Sequence, residues 1–139
     1  MIDITEYLEN IYENFCNLSN GENYLCELKK LDFQAGNLPD YTNISIQQLY
    51  LLRYAFAYAF EYSYMYKEIL PKMVGKELIK VTSIGCGTMI DYWALAYCIN
   101  SNLHRIRYTG IDEIDWNYKF TRRENDEMHF LMGNVKDFF

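Results

Sequence analysis

Residues 78–88 read LIKVTSIGCGT, a short apolar run that ends in a glycine-X-glycine turn. The β-branched residues of this run favour a strand. Gly85 and Gly87 allow the backbone to turn sharply and to approach a ligand closely. Residues 91–100 follow with a helical pattern, and the first amides of a helix attract an anionic or polar group. The stretch therefore predicts a strand, a ligand-binding turn and a helix in succession.

The alternation of strand and helix patterns continues towards the C-terminus. Short apolar runs predict three strands and helical patterns predict two helices between them, at Leu78–Ile84, Asp91–Asn100, Ile106–Ile111, Trp116–Arg123 and Met128–Met132. This β-α-β-α-β order implies a parallel sheet with right-handed crossovers, buried on both faces. The predicted fold class is α/β, with a helical extension at residues 1–75 and the sheet at residues 76–139.

Two short helices and a loop are predicted at the start of the helical extension. Asp3 and Glu6 have the spacing of a capping box and begin a helix near residues 4–17. A second helix is expected at residues 22–31. Residues 32–43 are predicted to be a loop, because they contain glycine and proline.

The longest predicted helix is rich in tyrosine. Ser45 is its expected N-cap, with Gln48 at the third helical position, and Pro71 ends it because proline has no amide to donate. Two rows of large side chains follow i+4 spacing: Tyr50, Tyr54, Tyr58, Tyr62 and Tyr66, and beside them Leu52, Phe56, Phe60 and Tyr64. Each i+4 step advances about 40° around a helix. The rows therefore cover much of the cylinder, and the helix is predicted to be largely buried.

The aromatic rows also admit a functional interpretation, as a platform on which nucleic-acid bases stack. However, the chain carries a net charge of −6 and has no run rich in lysine or arginine. Nucleic acid is therefore not the expected partner, and packing is the preferred role of the tyrosines. Arg53, Ala57 and Glu61 mark a polar strip that faces either solvent or a ligand.

Polar residues follow the second and the third predicted strands. Asp112 and Glu113 end the second strand, and Asn134 comes soon after the third. The carboxyl ends of neighbouring parallel strands meet at one edge of a sheet, where a carboxylate can accept the hydroxyls of a ribose. Together with the glycine turn, these residues predict a crevice for a nucleotide-containing cofactor.

Three motifs resemble those of the class I S-adenosylmethionine (SAM)-dependent methyltransferases. Residues 83–88 (SIGCGT) look like the first motif, residues 110–112 (GID) like the second and residues 132–135 (MGNV) like the third. The resemblance covers about residues 79–139. It implies a Rossmann-like fold in which the three strands lie in the order three, two, one, and it implies SAM or S-adenosylhomocysteine as the ligand.

The resemblance also implies roles for single residues. Gly85 and Gly87 would line the methionine end of SAM, Asp112 would bind the ribose, and Asn134 would reach the adenine amino group. The predicted cofactor-binding residues are Ser83, Gly85, Cys86, Gly87, Thr88, Asp112, Glu113 and Asn134. No residue is assigned a catalytic role. In this family the fourth motif and most of the substrate site lie in segments that would follow Phe139, so we expect the catalytic half to be missing.

Departures from the family motifs leave a second hypothesis open. Ser83 stands where an acid is usual before the first glycine, Met89 replaces the third glycine, and Asn134 replaces the usual acid of the third motif. A degenerate module that acts as a non-catalytic binding or interaction protein fits these departures. The dinucleotide fingerprint of NAD enzymes is the weaker match, because its third glycine would fall at Ile90.

The implied order of strands also predicts self-association. The first strand would pair on one side only. It is apolar, lacks proline and has Lys80 as its one charge, so little protects it from pairing with another chain. We expect a homo-oligomer joined through this edge or through the tyrosine-rich helix, inactive as a methyltransferase by itself.

Membrane, secretion and metal signals are weak in this sequence. The N-terminus lacks the basic start and apolar run of a signal peptide, and no stretch is apolar enough to span a bilayer. A cytoplasmic chain without membrane contact is expected. The cysteines lack CxxC spacing and the two histidines lie far apart, so neither zinc nor disulfides are predicted for Cys16, Cys26, Cys86 and Cys98.

Overall fold

The fold consists of helices followed by a small parallel sheet. A computed structural model describes residues 3–18, 39–73, 75, 77–99 and 104–138. Its elements are α1 (Ile4–Leu18), α2 (Ile44–Ile69), a 3₁₀ turn (Leu70–Met73), β1 (Leu78–Ile84), α3 (Ile90–Cys98), β2 (Arg105–Asp112), β3 (Glu127–Met132) and a second 3₁₀ turn (Val135–Asp137). The α/β class and the helical N-terminal part are therefore confirmed. The helix predicted at residues 22–31 lies outside the described residues.

Two compact units make up the chain, one within residues 2–56 and the other within residues 57–139. The first holds α1 and the beginning of α2. In α1 the buried side chains Ile4, Tyr7, Ile11 and Phe15 recur at helical spacing. Asp3 accepts a hydrogen bond from the Thr5 amide at 2.8 Å, as expected of a residue that caps this helix. The predicted domain boundary near residue 75 stays a prediction.

The second unit contains the sheet, in the order β1-β2-β3 with both pairs parallel. Leu78 of β1 lies opposite Arg105 of β2, and Arg107 of β2 lies opposite Glu127 of β3. The three predicted strands and their order are confirmed. In the described part of the chain β2 is the central strand, so β1 has a partner on one side.

The sheet is covered on one face, and the prediction that both faces are buried is wrong. On the covered face the Tyr108 hydroxyl of β2 donates to Asp91 of α3 at 2.7 Å. The opposite face is exposed at Lys80, Thr82, Ile84, Arg105, Arg107, His129 and Leu131. Both connections step in the same direction across the sheet. Right-handed crossovers therefore place both of them on the same face.

The helix predicted at Trp116–Arg123 is absent, and residues 113–126 form turns and irregular backbone. Two backbone amides of this segment donate hydrogen bonds to residues outside it. Phe120 N–H donates to the Thr88 carbonyl at 2.9 Å, and Arg123 N–H donates to the Tyr92 hydroxyl at 2.8 Å. In a helix these amides would bond to carbonyls four residues earlier. Tertiary partners therefore replace the helical ones.

The ends of α2 agree in part with the prediction. The helix stops at Ile69, and Pro71 lies in the following 3₁₀ turn. Its N-cap is not Ser45. Asn43 accepts a hydrogen bond from the Ser45 amide at 2.9 Å, and Ser45 itself is helical. Asn43 therefore satisfies one of the amides left without a partner at the start of the helix.

The prediction that α2 is largely buried is wrong. Its buried residues include the small side chains Ala55 and Ala59 and the larger Leu51 and Tyr66. Three large side chains of one row are mostly exposed: Phe56 at 63%, Phe60 at 71% and Tyr64 at 65%. Tyr58, at the middle of the tyrosine row, is half-buried. The helix therefore packs through a stripe that contains small residues, and these three aromatic side chains are exposed to solvent.

Candidate functional site

The glycine turn after β1 is tied to the end of β2. Gly85 has a φ of 66° and Gly87 a φ of 53°, which favour glycine because L side chains clash in this region. The amides of Gly85 and Cys86 both donate to the Ile111 carbonyl, at 2.8 and 3.2 Å. These bonds hold the turn against the carboxyl end of the neighbouring strand.

Met89 occupies the position of the third glycine in the resembling motif. Its φ of 65° is in the left-handed region, and its side chain is buried. A non-glycine residue in this conformation costs roughly 1–2 kcal/mol. The backbone at Met89 therefore carries local strain that a glycine at this position would not.

Asp112 lies directly beside the glycine turn. Its Oδ2 atom accepts a hydrogen bond from the Gly87 amide at 2.8 Å, and its Oδ1 atom accepts one from the Ile114 amide at 2.8 Å. Each carboxylate oxygen has a second acceptor position. The structure thus brings together the two features that the sequence placed at one sheet edge, and Asp112 retains capacity for a ligand hydroxyl.

The outer side of the turn is open at its first glycine. No atom of the described residues lies within 4 Å of the position that a Cβ atom on Gly85 would take. At Gly87 the nearest atom to such a Cβ is a ring carbon of Trp116, at 3.9 Å. A ligand could therefore approach the backbone of Gly85, with the buried indole of Trp116 bordering Gly87.

Cys86, between the two glycines, points inward. Its Sγ atom would lie 2.6 Å from a Cβ atom added to Gly110 in β2, a distance that real contacts do not allow. Burial, together with the nearby carboxylates of Asp112 and Asp91, raises the pKa of the Cys86 thiol to about 12. The thiol is therefore neutral at physiological pH and fills space against β2, which explains why Gly110 must lack a side chain.

Thr88 is buried at the beginning of the turn that leads into α3, with 2% of its surface exposed. Its carbonyl accepts the Phe120 amide at 2.9 Å. Its Oγ1 atom has no hydrogen-bond partner among the described residues. A buried hydroxyl without a partner is unfavourable, so this position has capacity for a water molecule or a ligand group.

A hydrogen-bonded pair lies behind the glycine turn. The buried hydroxyl of Tyr108 donates to Asp91 Oδ1 at 2.7 Å, and it also shares a hydrogen bond with Ser83. Burial and the nearby Asp91 carboxylate raise the pKa of Tyr108 far above its usual value. Asp91 thus holds β2 against α3, a partner that its position in the first helical turn did not predict.

Glu113 and Asn134 connect the ends of β2 and β3. Asn134 Nδ2 donates to Glu113 Oε1, and both residues are exposed. The Asn134 side chain also caps the last 3₁₀ turn by accepting the Lys136 amide at 3.0 Å. In addition, the Gly133 amide donates to the Asp112 carbonyl at 2.9 Å. All three strand ends therefore meet at one edge, with Asn134 already engaged in protein contacts.

A buried ionic network at the opposite edge was missed from the sequence. Asp126 is 2% exposed and accepts hydrogen bonds from the Tyr92 hydroxyl, the Ile106 amide and the Arg123 guanidinium, at 2.7–3.0 Å. Burial alone would raise the pKa of Asp126. The hydrogen bonds, led by those from Arg123, outweigh burial and hold it below its usual range. The i, i+3 spacing of Arg123 and Asp126 was the available signal.

An open cleft of about 460 Å³ lies beside this network, lined by Arg105, Arg122, Glu124, Asn125, Asp126 and Glu127. Its guanidinium groups are engaged within the protein. Arg122 donates to the Asp126 carbonyl at 2.8 Å, and Arg105 pairs with Glu127 at 3.1 Å. The cleft is at the amino ends of the strands, away from the glycine turn. Its polar groups serve to hold the connection between β2 and β3.

Comparisons with known proteins gave no match. Neither the family models, nor the curated proteins, nor the solved structures that were searched include a significant match to this chain. Within the described ranges, no three histidine, cysteine or acidic side chains come together as metal ligands. The described helices also include none with the length and apolar character needed to cross a membrane.

Proposed function

We propose that residues 76–139 form a Rossmann-like module that binds SAM or S-adenosylhomocysteine, as the resemblance to class I methyltransferases implies. The observation that supports this most directly is the 2.8 Å hydrogen bond from the Gly87 amide to Asp112 Oδ2. It joins the glycine turn to the carboxylate at the end of the next parallel strand. This edge is where ligands bind in open α/β sheets.

The residues present fit such a cofactor. The open side of Gly85 gives room for the methionine end, and Asp112 has acceptor positions left for the ribose hydroxyls. The buried Thr88 hydroxyl without a partner among the described residues is a further polar group at this turn. When bound, SAM supplies a methyl group on a sulfonium. The side chains named here would bind and orient the cofactor, and no catalytic residue is assigned.

The Asn134 side chain would border the adenine of the cofactor. For it to reach an adenine amino group, its side-chain oxygen would have to accept a second hydrogen bond beside the one from Lys136. A carbonyl oxygen has two lone pairs, so this needs no loss of the cap. The exposed position of Asn134 at the end of β3 supports the proposal that it borders the adenine.

A non-catalytic binding module is the second candidate, and a different observation favours it. Met89 carries backbone strain where a glycine would carry none, and the segment after β2 packs onto the turn through Trp116 and Phe120. A site that had lost its ligand would gain stability from such packing. In that case the sheet edge would be a structural feature and SAM would not bind.

Titration calorimetry of the whole chain with SAM, S-adenosylhomocysteine and NAD⁺ separates these candidates. The proposal predicts saturable binding of SAM and S-adenosylhomocysteine and no binding of NAD⁺. Absence of heat with SAM and S-adenosylhomocysteine at the highest soluble protein concentration would reject the cofactor role and leave the non-catalytic module. Saturable binding of NAD⁺ alone would instead support the dinucleotide fingerprint.

A further inference from the structure

The exposed face of α2 carries two adjacent rows of residues. One row, Arg53, Ala57 and Glu61, places a cation, a small side chain and an anion at successive i+4 positions, and all three are exposed. The second row is Phe56, Phe60 and Tyr64, whose exposed fractions are 63%, 71% and 65%. Because all six residues lie on one unbroken helix, helix geometry alone fixes their spacing. We call these six residues the aromatic face.

The aromatic face exposes an unfavourable amount of apolar surface to water. Three large aromatic side chains in contiguous i, i+4, i+8 positions form a patch rather than isolated exposed residues. On a typical surface helix the apolar stripe packs inward and the outer face is polar. Here Leu51, Ala55 and Ala59 take the buried positions, and the phenylalanines are on the outside. Such a patch marks a surface that another molecule covers.

The charges of the face are complementary to a second copy of the same face. In an antiparallel pair of α2 helices centred on Ala57, Arg53 of each copy lies opposite Glu61 of the other. Ala57, with its short side chain, lies at the crossing point and permits close approach of the two helices. A parallel pair would instead place Arg53 against Arg53. Charges that flank an apolar seam set helix orientation in this way.

We propose that α2 is the contact of a two-fold symmetric homodimer, with the aromatic faces packed antiparallel about Ala57. Phe60 of each copy then lies beside Phe56 of the other, and two Arg53–Glu61 ion pairs flank the aromatic contact. The same patch meets itself, as a two-fold interface requires. This role is independent of cofactor binding at the glycine turn.

Charge-exchange variants test both the contact and its orientation by sedimentation velocity. The expected result is that the wild-type chain sediments at twice its mass of 16.6 kDa. In R53E two carboxylates face each other at each end of the helix pair, and in E61R two cations do. Each variant by itself therefore sediments at the single-chain mass. An equimolar mixture of R53E and E61R regains the dimer mass, because every ion pair is restored between unlike chains. The double variant R53E/E61R also regains it.

Two matched variants place the same charge changes elsewhere. E13R alters an exposed glutamate of α1, and K80E alters the exposed charge of edge strand β1; both remain dimeric. Loss of the dimer in K80E would assign the contact to the β1 edge and overturn the proposal. So would a wild-type chain that is monomeric at its highest soluble concentration, or an R53E and E61R mixture that stays monomeric. Circular dichroism confirms that each variant is folded.

Discussion

The backbone amide of Gly87 donates a hydrogen bond to Asp112 Oδ2 over 2.8 Å, although 25 residues separate them in the sequence. The same carboxylate receives the Ile114 amide through Oδ1. One side chain therefore anchors both the glycine turn after β1 and the segment that leaves β2. Any ligand at this edge would meet a turn whose shape depends on Asp112.

Replacing Asp112 with alanine is expected to weaken SAM binding. The variant removes a charged acceptor and releases the Gly87 amide, and the loss of a charge-assisted hydrogen bond costs about 1.5–3 kcal/mol. Calorimetry should show an affinity lower by roughly ten- to a hundredfold. Asp115→Ala, which alters an exposed aspartate three residues further on, is the control and should bind normally. Equal affinities of Asp112→Ala and the wild type would exclude this site.

Replacing Gly87 with valine is expected to abolish SAM binding. At a φ of 53° the new side chain is strained by about 1–2 kcal/mol, and its Cβ would lie 3.9 Å from the Trp116 ring, so the turn cannot keep its shape for a ligand. Gly75→Val is the matched control, since Gly75 has a φ of 86° and nothing within 4 Å of an added Cβ. It carries a comparable strain away from the turn and should bind SAM as the wild type does. A folded Gly87→Val chain with unchanged affinity would show that the turn does not hold the cofactor.

Replacing Gly110 with alanine is expected to destabilise the fold. The added Cβ would lie 2.6 Å from Cys86 Sγ and 3.0 Å from the Tyr108 ring, and such overpacking costs about 1–3 kcal/mol. Cys86→Gly in the same chain removes the closest of these contacts. Urea denaturation should therefore reveal coupling between the two positions. The double variant should lose less free energy of unfolding than the two single variants lose in total. Strict additivity would mean that Cys86 does not pack on Gly110.

Replacing Asp126 with asparagine is expected to lower the free energy of unfolding at neutral pH by about 2–3 kcal/mol, because charged hydrogen bonds to Arg123 are lost. The folded pKa of Asp126 is below its unfolded value of about 3.9, so its stabilisation is present above that pH. It is lost as the pH falls through the folded pKa.

The pH dependence provides the check on this network. Denaturation of the wild type between neutral pH and the pH range below 4 should show a decline in stability that is smaller in Asp126→Asn. Glu124→Gln, at an exposed residue of the same segment, serves as the control. Its stability should decline with falling pH as that of the wild type does. An Asp126→Asn curve parallel to that of the wild type would show that this carboxylate does not stabilise the fold through its charge.

Local signals predicted the strands and the glycine turn well. The β-branched run before Gly85 gives β1 its bounds at Leu78–Ile84, and the structure shows the same bounds. The order of strands followed from the family resemblance. The carboxylate beside the turn followed from simple topology, since the carboxyl ends of adjacent parallel strands share one edge. These features depend on residues close in sequence or on rules of sheet connection.

The helix expected at Trp116–Arg123 did not form, and two of its amides donate to partners outside the segment. Thr88 and Tyr92, both in or next to α3, supply those partners. The Asp126 network was missed for the same reason, since Tyr92 lies 34 residues away in the chain. Hydrogen bonds between residues this far apart leave no periodicity in the sequence.

Local sequence was enough to locate the ends of β1 and α2, because Gly85 and Pro71 act on the backbone of their immediate neighbours. It could not determine which side of α2 is buried, since aromatic residues surround most of that helix. In the folded chain Ala55 and Ala59 are buried and Phe60 is exposed to solvent. A helix with large apolar residues on several sides has more than one face that could pack. The choice among them depends on the surfaces that the rest of the chain presents.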